Sequence, residues 1–128
     1  MSGPPAIYAG RTLFLTAGGH LWVVVTEPVG DPTQVVIVNL TTARGGSDST
    51  VILEPGEHPF VSRPTSVRYS DARLANVTTL QALAGGPGDT HQDFATEVLG
   101  RIRQGLLDSP FTPEWLKGFC RGQWESAQ

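Results

Sequence analysis

Between His20 and Arg73 the chain concentrates side chains that move protons or hold anions, with two of its three histidines and four of its eight arginines. The segment Asn39-Leu40-Thr41-Thr42-Ala43-Arg44-Gly45-Gly46-Ser47-Asp48-Ser49-Thr50 follows an apolar run and places hydroxyls, a guanidinium and a carboxylate on a glycine-hinged loop. Such a loop has two readings. Its Ser and Thr satisfy their own turns in solvent, or together with Arg44 they make a pocket for an anion or phosphate. A second cluster, Glu54-Pro55-Gly56-Glu57-His58-Pro59-Phe60 followed by Ser62-Arg63-Pro64, surrounds a histidine with three prolines. Proline fixes φ, so the imidazole of His58 is presented from a stiff backbone, and histidine is the side chain best suited to exchanging protons near neutral pH. The plainer alternative is a Pro-Gly turn in which His58 binds a loop carbonyl. His20 stands just before the apolar run Leu21–Val25, where it faces a site at the sheet end or packs on Trp22. His91 is expected in solvent, in the first turn of a helix.

Other chemistries lack their signatures. There is no Walker loop, dinucleotide fingerprint, HExxH or nucleophile elbow. The histidines lie far apart in sequence, and with Asp48 or Asp71 added they still offer no short-spaced pair, so no metal or other cofactor is expected. Cys120 is the single cysteine, which rules out an intramolecular disulfide and a cysteine-based zinc site. Beside Phe119 it reads as a small buried hydrophobe.

The elements that must position these groups change character along the chain. From residue 10 to about Leu74 the apolar runs are short, rich in Val, Ile and Leu, and separated by Gly, Pro or Asp, which predicts strands at Thr12–Thr16, Leu21–Thr26, Gln34–Leu40, Thr50–Leu53 and Ser66–Tyr69. Gly18-Gly19 and Pro28–Pro32 are the expected turns between the first three. Leu21–Val25 and Val35–Val38 are apolar at successive positions, so both are expected to pair at the sheet centre, covered on both faces. Ser66-Val67-Arg68-Tyr69-Ser70 alternates instead and sets Arg68 opposite Val67 and Tyr69. The last third shifts to helical spacing. A weak helix is expected over Ala72–Leu83, ended by Gly85-Gly86-Pro87-Gly88. A clear one follows, capped by Asp89 or Thr90 and carrying Phe94, Val98, Leu99, Ile102 and Leu106, and a short one opens at Thr112-Pro113-Glu114 with Thr112 as N-cap, burying Trp115, Leu116 and Phe119. Trp22, Val24, Val36, Val38, Leu53, Val67, Phe94, Val98 and Ile102 are expected in one core.

At 128 residues the chain is one domain's length, read as a flexible lead-in over residues 1–9 and a single domain over 10–128. Strands first and helices last predict an α+β fold with a small curved sheet or partly open barrel. A net charge of −3 argues against sequence-blind coating of nucleic acid but is compatible with a small local RNA site. The N-terminal residues lack a positive stretch and an apolar stretch, and no apolar run approaches a membrane span, so a cytoplasmic protein without membrane contact is expected.

The run His20-Leu-Trp-Val-Val-Val, Val-Val-Ile-Val-Asn-Leu-Thr-Thr (residues 35–42), Asp48, Gly-Glu-His-Pro-Phe (56–60), Ser66-Val67-Arg68-Tyr69 and Ala72-Arg73-Leu74 resembles the PemK/MazF-like toxins of bacterial toxin–antitoxin systems, over roughly residues 10 to 107. The resemblance implies an SH3-like barrel of about five strands followed by C-terminal helices. It also implies a metal-independent endoribonuclease that cuts single-stranded RNA, an antitoxin protein as partner, and a homodimer. The family's cleavage site joins a basic residue at the start of the second strand to a Ser or Thr beyond the third. Those places look like His20, where the family usually has arginine, and Thr41 or Thr42. Phosphodiester transfer needs a proton acceptor, a proton donor and a cation around one phosphate. The catalytic set implied is therefore His20, Thr42, His58 and Arg68 in one cleft, with Thr41, Arg44, Asp48 and Arg73 as substrate contacts. The alternative is a non-catalytic SH3-like barrel that binds a protein partner or nucleic acid.

Overall fold

The structure is a computed structural model that describes residues 3–15 and 19–126. Its strands are β1 (Thr12–Phe14), β2 (Leu21–Val24), β3 (Gln34–Thr42), β4 (Ile52–Leu53), β5 (Thr65–Asn76) and β6 (Thr90–His91), and its helices α1 (Val77–Leu83), α2 (Thr96–Asp108) and α3 (Glu114–Ser126). The six strands form one antiparallel sheet in the order β4-β5-β3-β2-β1-β6, curled into a half-barrel, so the fold is α+β. Thr16 and Gly18, placed above in a strand and a turn, lie outside the described residues.

The two doubly apolar runs pair at the centre, with Trp22 opposite Asn39 and Val24 opposite Ile37. Because side chains alternate along a strand, such a sheet needs a cover on each face, and two separate cores supply it. One face carries Leu21, Val23, Val36, Val38, Leu40, Val67 and Tyr69 under α2 and α3, through Ile102, Leu106, Leu116 and Cys120. Burial also pushes the Cys120 thiol up to about 12, which leaves it a poor nucleophile. The other face carries Leu13, Val24, Val35 and Ile37 under α1, through Leu80 and Ala84, with Ile7. The single core expected from sequence is thereby divided, and Val24 and Trp22 belong to the second cluster.

Several boundaries differ from the sequence reading. Strand β5 continues to Asn76 through the stretch expected to begin a helix, and its register against β3 slips between Ile37 and Asn39. Across this irregularity the inward positions change from Val67 and Tyr69 to Ala72 and Leu74. Residues 90–91, expected as a helix start, instead pair with β1 as a sixth strand, and Phe94 N–H donates to Gly10 O at 3.0 Å. The sheet edge captures these backbone groups, so α2 begins only after Ala95, with no side-chain cap. Thr112 is buried with its hydroxyl unpartnered, so it does not cap α3, and Trp115 is 60% exposed. The described part of the chain's start makes contacts with the rest of the fold. Ile7 is buried, Pro5 O accepts from Gln81 Nε2 at 3.0 Å, and Tyr8 Oη donates to Asp93 at 2.8 Å. Among the described residues no helix is long and apolar enough to cross a membrane.

Candidate functional site

Helix α1 covers only part of its face of the sheet. Beyond it, paired residues on that face turn polar, Asn39 opposite Arg68 and Thr41 opposite Ser66. There a cleft of about 570 Å3 is lined by His20, Thr41, Thr42, Arg44, Gly45, Gly46, Ser47, Asp48, Ser66, Arg68, Ser70 and Phe111. A second recess of about 340 Å3 shares His20, Thr41, Thr42 and Arg44 with it and adds Phe60, Ser62, Arg63 and Thr65. The two recesses meet at the C-terminal end of β3 and make one groove. Six of the eight residues singled out from sequence thus converge: His20, Thr41, Thr42, Arg44, Asp48 and Arg68.

Local chemistry explains how they are held. Arg44 and Ser47 close a turn through Ser47 N–H to Arg44 O at 3.0 Å and Arg44 N–H to Ser47 Oγ at 2.9 Å. Gly46 makes this turn possible at φ +89°, a region that side chains with a Cβ rarely enter. The guanidinium of Arg44 is exposed and has no hydrogen-bond or ion-pair partner among the described residues. Arg68 lies 3.5 Å from Asp71, whose carboxylate also accepts from Asn39 Nδ2 at 3.0 Å. Both members of the Arg68–Asp71 pair reach solvent, so the bond is weak and Arg68 can turn to a ligand. Asp48 lines the cleft as a structural joint. Its carboxylate accepts Thr50 N–H at 2.9 Å and Ser109 Oγ–H at 2.7 Å, and its carbonyl accepts Ser66 Oγ–H at 2.6 Å. These bonds tie the loop after β3 to β5 and to the α2–α3 connection.

Two singled-out residues do not join the groove. The Arg73 guanidinium stacks over Trp22 at 5.1 Å, and its Nε donates to Asp71 O at 3.1 Å. The register slip sets Arg73 opposite Ile37, on the same face as Arg68, but its side chain turns to Trp22 and away from the groove. His58 is only 4% exposed, wedged 4.4 Å from the Phe94 ring and 5.0 Å from His91. Phe60 N–H donates to its Nδ1 at 3.0 Å, which puts the proton on Nε2, donated to Gln92 O at 2.5 Å. The plainer reading of His58, a histidine bound to a loop carbonyl, is the one observed. It pins the β4–β5 loop to the residues after β6, helped by Glu57, which accepts Glu54 N–H at 2.7 Å and pairs with Arg101.

Burial is the main cause that holds the His58 pKa below its ordinary value, and the nearby His91 adds to it. The bond to Gln92 and the charge of Asp93 oppose it without reversing it. The folded state therefore binds the proton less readily than the unfolded chain. Its contribution to stability is full above about pH 6.5, the unfolded value, and is lost as pH falls through the folded one. A His58→Asn variant is expected to lose about 2 kcal/mol at about pH 7.5 from the broken packing and hydrogen bonds. Its melting temperature should then fall less than the wild type's between about pH 7 and about pH 5. Equal slopes would show that His58 does not titrate with unfolding.

Sequence reasoning passed over Ser66, Ser70 and Phe111. The serines were legible, since they share the period-two face of Arg68; Phe111 comes from a distant connection and carried no local signal. Among the described residues no three His, Cys, Asp or Glu side chains are grouped to hold a metal ion. No protein-family model, curated protein or solved structure matches the chain.

Proposed function

We propose that the groove at the end of β3 binds single-stranded RNA, and that the chain is a metal-independent endoribonuclease on an SH3-like barrel of the PemK/MazF-like kind. The observation that carries this reading is the convergence of His20, Thr41, Thr42, Arg44 and Arg68 on one groove, in a protein whose net charge is −3. Arg63 lines the adjoining recess, so three guanidiniums border a groove whose single carboxylate, Asp48, is already hydrogen-bonded. A local cationic surface of this sort suits a short stretch of phosphodiester backbone.

In the reaction His20 takes the proton from a ribose 2′-hydroxyl and the 2′-oxygen attacks the adjacent phosphorus. The bond to the 5′-oxygen breaks, that oxygen takes a proton from the imidazolium of His20, and a 2′,3′-cyclic phosphate is left. Arg44 and Arg68 stabilise the extra negative charge on the phosphorus oxygens as it develops. Thr41 and Thr42 offer hydroxyl donors to the same oxygens. Such a reading carries an antitoxin and a second copy of the chain as partners, for which the exposed Trp115 supplies apolar surface.

A non-catalytic RNA-binding barrel is the second reading, favoured by one observation: the groove holds His20 but not His58, so only one imidazole is available to serve as both acid and base. Incubating the purified protein with end-labelled single-stranded RNA in the presence of EDTA separates the two. Cleavage to products ending in cyclic phosphate is expected. Binding without cleavage selects the second reading, and neither binding nor cleavage overturns both.

A further inference from the structure

The groove's two recesses are each bordered by an exposed phenylalanine, Phe111 in the larger and Phe60 in the smaller. Phe111 is 58% exposed and Phe60 37%, although large apolar side chains generally gain by burial. Neither ring hangs on a loose backbone. Phe111 N–H donates to Ser109 Oγ at 3.1 Å, and that hydroxyl in turn donates to Asp48, the joint of the cleft. Phe60 N–H donates to buried His58, and the Phe60 ring packs against Phe14 and His91 with centroids 5.7 and 6.2 Å away while also lining the smaller recess. The side chains common to both recesses, His20, Thr41, Thr42 and Arg44, are polar. Along the groove the order is therefore aromatic ring, cationic and hydroxyl-bearing middle, aromatic ring. The recess volumes of about 570 and 340 Å3 both fall within the size range of small-ligand sites.

Single-stranded nucleic acid presents the matching order, with a flat base, a charged phosphate and a second flat base. Exposed aromatic rings bind bases by stacking whatever the sequence, because every base has a π face. We propose that Phe111 and Phe60 are base-stacking platforms that hold two successive nucleotides, one in each recess, with the phosphate between them on Arg44 and beside His20. The assignment rests on the groove's being an RNA site, and it adds the footprint of two bases and the two residues that grip them.

The test measures the affinity of fluorescent RNA oligomers by anisotropy for the wild type, Phe111→Leu, Phe60→Leu and Arg44→Ala. Leucine keeps apolar bulk against Phe14 and removes the aromatic face, and unchanged melting temperatures establish that each variant is folded. Each leucine variant is expected to weaken binding about tenfold. Neither should alter binding of a base-free ribose-phosphate oligomer, whereas Arg44→Ala weakens both ligands. An oligomer carrying bases at only two adjacent positions should bind as tightly as the complete one. If both leucine variants bind complete RNA like the wild type while Arg44→Ala loses it, the stacking assignment falls and the RNA reading stands. A wild type that binds no RNA overturns the two together.

Discussion

Alanine in place of His20 is expected to lower RNA cleavage by about a thousandfold while leaving RNA affinity within a few-fold of the wild type. The size follows from the work assigned to one side chain. Positioned general acid–base groups supply about 10²–10⁴ in rate, and His20 is the groove's only imidazole among the described residues. The fold does not depend on it, because His20 is exposed, precedes β2 and makes no hydrogen bond to the described residues. A surface change of this kind alters stability by about 0.5 kcal/mol or less, so the melt should barely move. Arg44→Ala separates the roles, because it removes a free cation from the middle of the groove and should reduce binding and cleavage together. Measuring single-turnover cleavage beside equilibrium affinity for both variants makes the distinction. A His20→Ala protein that cleaves at the wild-type rate removes histidine from the mechanism.

The largest loss of stability is expected from a single methyl group, in Gly105→Ala. Gly105 lies buried in α2 where the helix presses on the sheet. A Cβ there would stand 2.2 Å from Tyr69 Oη and 2.4 Å from Val51 Cγ2. Neither neighbour can easily give way. Tyr69 is fully buried and donates its hydroxyl to Ile102 O at 2.7 Å, so moving the ring breaks that bond as well. Desolvation raises the phenol's pKa far above its ordinary value, so ionisation offers no relief. Overpacking a tight core costs about 1–3 kcal/mol, and an unsatisfied buried hydroxyl costs about 1–3 kcal/mol more. A loss of about 4 kcal/mol is a large share of a small domain's stability. Thermal or urea denaturation of the variant checks it, and a melt within a few degrees of the wild type would mean that α2 can move off the sheet at little cost. Alanine at Gly100, on the same helix with nothing within 4 Å of an added Cβ, is the matched control.

Much of this architecture was legible along the chain because its cause is local. Leu21–Val25 and Val35–Val38 are apolar at successive positions, so they had to pair inside a sheet covered on both faces, and they do. Alternation over Ser66–Ser70 put Arg68 on the wet face, and the spacing of Ile102 and Leu106 put α2 on the core. Those patterns reflect which side of an element meets water, a property that each segment carries by itself. The candidate groove was partly legible for the same reason, since Thr41 and Thr42 end a buried strand and Arg44 follows it into a glycine-hinged turn. What the chain did not disclose depends on partners distant in sequence. Residues 90–91 had a plausible helix start yet became β6, because the unpaired edge of β1 offers hydrogen bonds that a helix cap could not match. His58 and Arg73 bear the right groups for phosphate chemistry, but neither reaches the groove. Gln92 and Phe94, more than thirty positions along the chain, hold the imidazole inside, and stacking on Trp22 with a bond to Asp71 O keeps the guanidinium out of the groove. Phe111 enters from the other direction, brought to the groove by the Ser109–Asp48 bond across 61 positions. Residue type and period determine which side of an element is wet, whereas register and long-range hydrogen bonds decide which wet sides meet. That second choice is an energy difference between whole arrangements of the chain, and no window of sequence contains it.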